Sequence, residues 1–153
     1  MMRIGAWIAG AALLAGGAGP DSGPDPAARP GAEALAEIVR LRQDGKGEEA
    51  LAAARALLAG AEERGLGERQ RAALHFAEGL LLAEREVAEP DELAQALPPL
   101  AAARALAGPG ELRLAAGYDL GVAELRRAEG HRARIPEIAG SSLAPPAGPP
   151  AGP

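Results

Sequence analysis

Leu51-Ala52-Ala53-Ala54-Arg55-Ala56-Leu57 returns letter for letter as Leu100-Ala101-Ala102-Ala103-Arg104-Ala105-Leu106, and a glycine follows each copy within a few residues. The chain therefore carries an internal repeat. A second echo runs between and after the copies, since Phe76-Ala77-Glu78-Gly79 is answered 42 residues on by Tyr118-Asp119-Leu120-Gly121. These four-residue runs hold the only aromatic residues outside the first ten positions. Two kinds of element, each used more than once, predict an all-α fold of antiparallel helical hairpins stacked as a short solenoid of about five helices.

The ends of the chain differ in composition from this middle. Residues 1–19 hold one charge, Arg3, then an apolar stretch from Ile4 to Ala18 with small residues at Ala15, Gly17 and Ala18. That is the pattern of a secretory signal peptide, and it predicts an exported protein, periplasmic or secreted. The stretch falls short of the ~20 residues of a spanning helix, and Gly5, Gly10, Gly16 and Gly17 dilute it. With no cysteine in the chain, a lipid-modified cysteine, disulfides and thiolate metal sites are all excluded. Nothing then holds the mature chain to a membrane. Residues 20–31 and 139–153 are rich in Pro, Gly and Ala, the composition of disordered linkers. Residues 32–138 remain as one helical domain. The formal net charge is −5, and loss of Arg3 with the signal makes it about −6, which speaks against nucleic acid as a partner.

Periodicity places the helices. The first fits Ala32 to Gln43, with Ala32, Leu35, Val39 and Arg42 on one face and Ile38 and Leu41 beside it. Gly45 and Gly47 interrupt it, and Glu48-Glu49 put negative charge in the first turn of a second helix running to about Arg64, where the macrodipole favours it. A third covers Glu68 to about Val87 and stops before Pro90, with Asp91 as the N-cap of the next segment. That fourth segment contains Pro98 and Pro99, so a short helical turn should end near Leu97 and a new helix begin with a proline in its first turn. The fifth runs from Glu111 to about Arg134, before Pro136, and would bury Leu114, Tyr118, Gly121, Val122 and Leu125. Gly79 and Gly121 each cost roughly 1 kcal/mol in a helix interior relative to alanine, which predicts helix contacts too close for a Cβ at both.

Tyr118-Asp119-Leu120-Gly121-Val122-Ala123 resembles the Tyr-Asn-Leu-Gly-x-Ala core of the first helix of a tetratricopeptide repeat. Gly45-Lys46-Gly47-Glu48-Glu49-Ala50-Leu51 is similar to that repeat's turn and second helix, with Phe76 and Gly79 at the positions of Tyr118 and Gly121. The repeats are divergent. Their spacings of 42 and 49 residues exceed the usual length of about 34, Ile38 stands where a small residue belongs, and Glu124 where a large apolar one does. A looser similarity is to exported bacterial repeat proteins that accompany von Willebrand factor A domain proteins. The resemblance implies a groove lined by the first helices, in which Ala73, Phe76, Leu80 and Ala83 and then Ala115, Tyr118, Val122 and Leu125 would meet a partner protein or peptide. The alternative is that Phe76 and Tyr118 pack in the core.

Little in the sequence carries chemistry. His75 and His131 stand far apart in no metal-ligand spacing, and the only serines, Ser22, Ser141 and Ser142, lie in the predicted tails. No catalytic, cofactor or metal site is predicted. The expectation is a non-enzymatic scaffold for protein-protein interaction in the bacterial cell envelope. An accessory subunit of an envelope complex, or one half of a longer protein joined through the C-terminal linker, is the alternative.

Overall fold

The computed structural model describes residues 29–85 and 90–142. The predicted signal peptide, almost all of the N-terminal linker and the last eleven residues of the chain lie outside the described residues. The described residues form six α-helices: α1 (Arg29–Gln43), α2 (Gly47–Ala59), α3 (Glu68–Ala83), α4 (Pro90–Leu93), α5 (Leu97–Leu106) and α6 (Glu111–Ser142). A 3₁₀ turn, Ala94–Ala96, joins α4 to α5, so these two act as one bent arm and the fold has five principal helices. There is no strand among the described residues. The protein is all-α. Each principal helix packs on the next in sequence, and α3 also touches both α1 and α6. Short connections force these neighbours to run antiparallel.

Glycine and proline set the boundaries. After α1, the Gly45 N–H donates to the Arg42 carbonyl and the Lys46 N–H to the Leu41 carbonyl, the pair of bonds that closes a helix through a residue of positive φ. Gly45 sits at φ +76°. The same pair returns after α2, from Gly65 to Glu62 and from Leu66 to Ala61, with Gly65 at φ +64°. This second motif explains why α2 stops at Ala59 rather than near Arg64: Gly60 to Gly65 are spent on the turn that brings Leu66 inward, where it is buried. Gln70 accepts the Gly67 N–H at 3.0 Å and caps α3.

Other boundaries also move. α1 begins at Arg29, three residues before the predicted start, because Pro30 falls in its first turn, where a missing N–H is harmless. α3 ends at Ala83, short of Val87. α4 opens on Pro90, so Asp91 lies in the first turn instead of capping it. Pro98 stands in the first turn of α5, as the sequence requires. α6 continues through Pro136 to Ser142, taking in the first four residues of the predicted C-terminal tail.

The twin segments occupy equivalent environments. In both, the first Leu and the third Ala are buried (Leu51 and Ala54, Leu100 and Ala103), and Arg55 and Arg104 are exposed, as are Ala52 and Ala101. The two copies pack against α3 from two sides. α3 is accordingly buried almost all round, with Leu74, Phe76, Ala77, Leu80 and Leu82 in the core. Three arginine-carboxylate pairs add to this: Arg42 with Glu84, Arg55 with Glu78 at 2.8 Å, and Arg85 with Glu48 at 2.8 Å. The first is half-buried and uses both carboxylate oxygens, the geometry that makes such a pair effective.

Gly79 marks the close seam of α3 with α5. A Cβ there would stand 2.6 Å from Leu100 Cγ and 3.2 Å from the Leu100 backbone nitrogen. Gly130 makes a second tight passage, 2.6 Å from Pro90 Cγ by the same measure, which the sequence pattern did not disclose. Gly121 makes none: a Cβ there would meet nothing within 4 Å. The close approach expected at both glycines of the echo exists only at the first.

These two glycines give opposite predictions. Gly79→Ala should destabilise the fold by about 1–3 kcal/mol through overpacking against Leu100, whereas Gly121→Ala should stabilise it by up to ~1 kcal/mol through helix propensity. Urea titrations followed by circular dichroism at submicromolar protein measure both.

Candidate functional site

The eight residues expected to line a groove divide by burial. Ala73, Phe76, Leu80 and Ala83 are buried, Phe76 to 5% exposure, and all belong to the core. They line no open groove, because α2 and α5 close over α3 from both sides. On α6 the arrangement is reversed from the expected inward face. The residues turned to the bundle are Leu112, Ala116, Leu120 and Ala123, whereas Leu114, Tyr118 and Leu125 are 75%, 70% and 60% exposed. Ala115, expected in the groove, is half-buried and packs against the core with Leu112 and Leu120, and Val122 is half-buried at the edge of the outer face. Leu114, Tyr118, Gly121 and Leu125, expected in the interior, thus lie on the outside of α6.

The reversal has a simple cause. α3 has helices on both sides, so every apolar residue of its sequence finds cover. Among the described residues α6 packs on α5, on the α4 arm and, to a smaller extent, on α3, and its Leu114, Tyr118 and Leu125 are left exposed. Two apolar faces on one helix cannot both be covered by a single layer. The face rich in alanine, Ala116 and Ala123, takes the bundle side because small side chains let α5 approach. Arg126 supports this docking by donating to the Ala83 carbonyl at 3.2 Å, at the end of α3 where carbonyls lack helical partners.

What remains outward is a stripe of Leu114, Tyr118, Gly121, Val122 and Leu125, with spacings of three and four residues along one side of the helix. Beside its N-terminal end lies an open depression of about 640 Å³ bordered by Arg104, Gly110, Arg113, Leu114, Gly117 and Tyr118. Arg104 and Arg113 are exposed, and the Arg104 side chain lies over Gly117, where a Cβ would meet Arg104 Cδ at an ordinary contact distance of 3.7 Å. The face is thus apolar along its centre and basic at one border.

Elsewhere one polar cluster of the described residues includes a histidine. Glu78 bonds Arg55 and lies 3.9 Å from His75 Nδ1, a buried atom with no hydrogen-bond partner. Burial pushes the His75 pKa below 6.5, against the pull of Glu78, and Arg71 lowers it further. No serine, threonine, cysteine or lysine stands at this cluster as a nucleophile. His131 is exposed on α6. Among the described residues no group of three His, Cys, Asp or Glu side chains could hold a metal ion, and no helix is long and apolar enough to cross a membrane.

No family model matches the chain, and neither a curated protein nor a solved structure matches it.

The half-buried imidazole gives a pH signature. Because folding lowers the His75 pKa, the unfolded chain binds the proton more readily, and the contribution of neutral His75 to stability is full above pH 6.5 and falls as pH drops below it. Urea midpoints between pH 7 and pH 5 should decline for the native sequence, and His75→Gln should flatten that decline.

Proposed function

We propose that the chain is a non-enzymatic, tetratricopeptide-repeat-like scaffold that binds another protein in the bacterial cell envelope through the outer face of α6. The observation that carries the reading is the contrast between two positions of one repeat. At Gly79 the seam of α3 is closed by Leu100 from the next helix of the stack. At Gly121, its echo in sequence, the equivalent seam is open and bordered by Tyr118 and Leu125, both mostly exposed.

An exposed, contiguous apolar stripe on a helix of a globular domain marks a contact surface. Aromatic residues and arginine are the types most often at the energetic centre of such contacts, and Tyr118 stands here beside Arg104 and Arg113. The composition of residues 1–19 supports export.

The test is affinity purification of the exported protein with mass spectrometry, beside Tyr118→Glu/Leu125→Glu and Ala52→Glu, the last a change on an exposed position of α2. The α6 variant should keep its helix content and lose whatever the native chain retains, by about tenfold or more. The α2 variant should lose nothing. Equal retention by all three chains, or retention of nothing, contradicts this reading.

A further inference from the structure

We infer that the partner seated on the outer face of α6 is a second copy of this chain, docked antiparallel through the same face about a two-fold axis between Gly121 and Val122. The inference rests on the reading of that face as the binding surface and adds its occupant. A two-fold contact requires one patch to complement itself when the helix is reversed. The register that places Gly121 opposite Val122 does this at the centre of the face: Tyr118 meets Leu125 of the other copy, and Leu125 meets Tyr118, while Leu114 at the border lies opposite the exposed Glu129.

Charges agree with the same register. It sets Glu111 of one copy opposite Arg132 of the other, once at each end of the contact. On the flank, Glu124 of one copy comes within a helical turn of the other copy's Gly117, over which Arg104 lies. Glu111, Arg104, Glu124 and Arg132 are all exposed and none forms an ion pair among the described residues. The chain therefore offers opposite charges at the paired positions and spends none of them internally. A parallel pairing would instead set Tyr118 on Tyr118 and Glu124 on Glu124, like charges in contact.

Gly121 supplies the close approach. A Cβ there meets nothing within the chain, yet glycine in a helix interior is costly. The same residue type at Gly79 receives Leu100 of a neighbouring helix. Across the two-fold axis, Gly121 would receive Val122 in the same manner. Covering Leu114, Tyr118, Val122 and Leu125 in both copies buries on the order of 1,000 Å² in total, the lower bound for a specific interface. Such an interface corresponds to a weak dimer, with a dissociation constant on the order of 10 µM.

Sedimentation equilibrium of the full chain across that concentration tests the inference. A monomer-dimer equilibrium is expected. Tyr118→Glu/Leu125→Glu should abolish it with circular dichroism unchanged. Glu111→Arg should raise the dissociation constant about tenfold, and adding Arg132→Glu to that variant should restore it. Gly121→Ala should weaken the dimer while stabilising the folded monomer, a split that a purely structural role for Gly121 would not produce. A chain that stays monomeric to about a hundred times the expected constant overturns the inference, as does a dimer that the α6 variants leave intact. If the chain is monomeric but the α6 variant still loses a different captured protein, the second copy alone is refuted and the scaffold reading stands. If no α6 substitution alters any association, both fall.

Discussion

The contact of Gly79 with Leu100 is the constraint around which the fold is built. It lets α5 approach α3 so closely that Leu100, one of the three largest fully buried side chains, fits against bare backbone. That approach matters because the core is poor in bulk. Alanine supplies Ala50, Ala54, Ala72, Ala73, Ala77, Ala83, Ala96, Ala103, Ala116 and Ala123 to the interior, and Phe76 is the only buried aromatic among the described residues. Small side chains give up apolar area, and close backbones recover the dispersion contacts that larger side chains would have made. With α5 held on one side and α2 on the other, α3 becomes the central helix, and the position of α6 is set by its packing on α5.

Repetition in sequence and repetition in structure separate at the edge of the stack. The twin Leu-Ala-Ala-Ala-Arg-Ala-Leu segments have the same burial pattern residue by residue, because each lies in α2 or α5, with a helix on either side in the stack. The aromatic pairs do not. Phe76 and Tyr118 occupy echoing positions, yet one is core and the other mostly solvent-exposed. Local sequence chooses the helix and its apolar stripes, whereas the presence of a next layer chooses which stripe is covered. In this chain α6 is the first helix without a following one among the described residues, and its second stripe is left outward.

That distinction marks how far the sequence could be read. The all-α class, the five principal helices and the proline-led start of α5 came from the 3.6-residue period and from the glycines and prolines that break it. The inward face of α6 did not, because Leu114, Tyr118, Val122 and Leu125 form a stripe at least as apolar as Leu112, Ala116, Leu120 and Ala123. Choosing between them required knowing that α5 needs small residues opposite it. Gly130 was passed over for a related reason: its neighbour Pro90 lies 40 positions away in sequence, and no local pattern announces the meeting. The continuation of α6 through Pro136 was likewise hidden, since a proline read locally ends a helix. The exposed face of α6 was only partly legible. Tyr118, Val122 and Leu125 stand on the open face, while Phe76 and its neighbours, named for the same groove, are structural.

Tyr118 is the single tyrosine of the chain, so its chemistry reports the state of this face without labelling. The rate at which it is nitrated by tetranitromethane, followed from dilute to concentrated protein, measures its exposure directly. An open outer face of α6 predicts a rate near that of a free tyrosine peptide in dilute solution, falling as the concentration rises and the face is covered. Protection already present at the lowest concentration, unchanged by dilution, would show that the chain covers Tyr118 itself and would contradict the account.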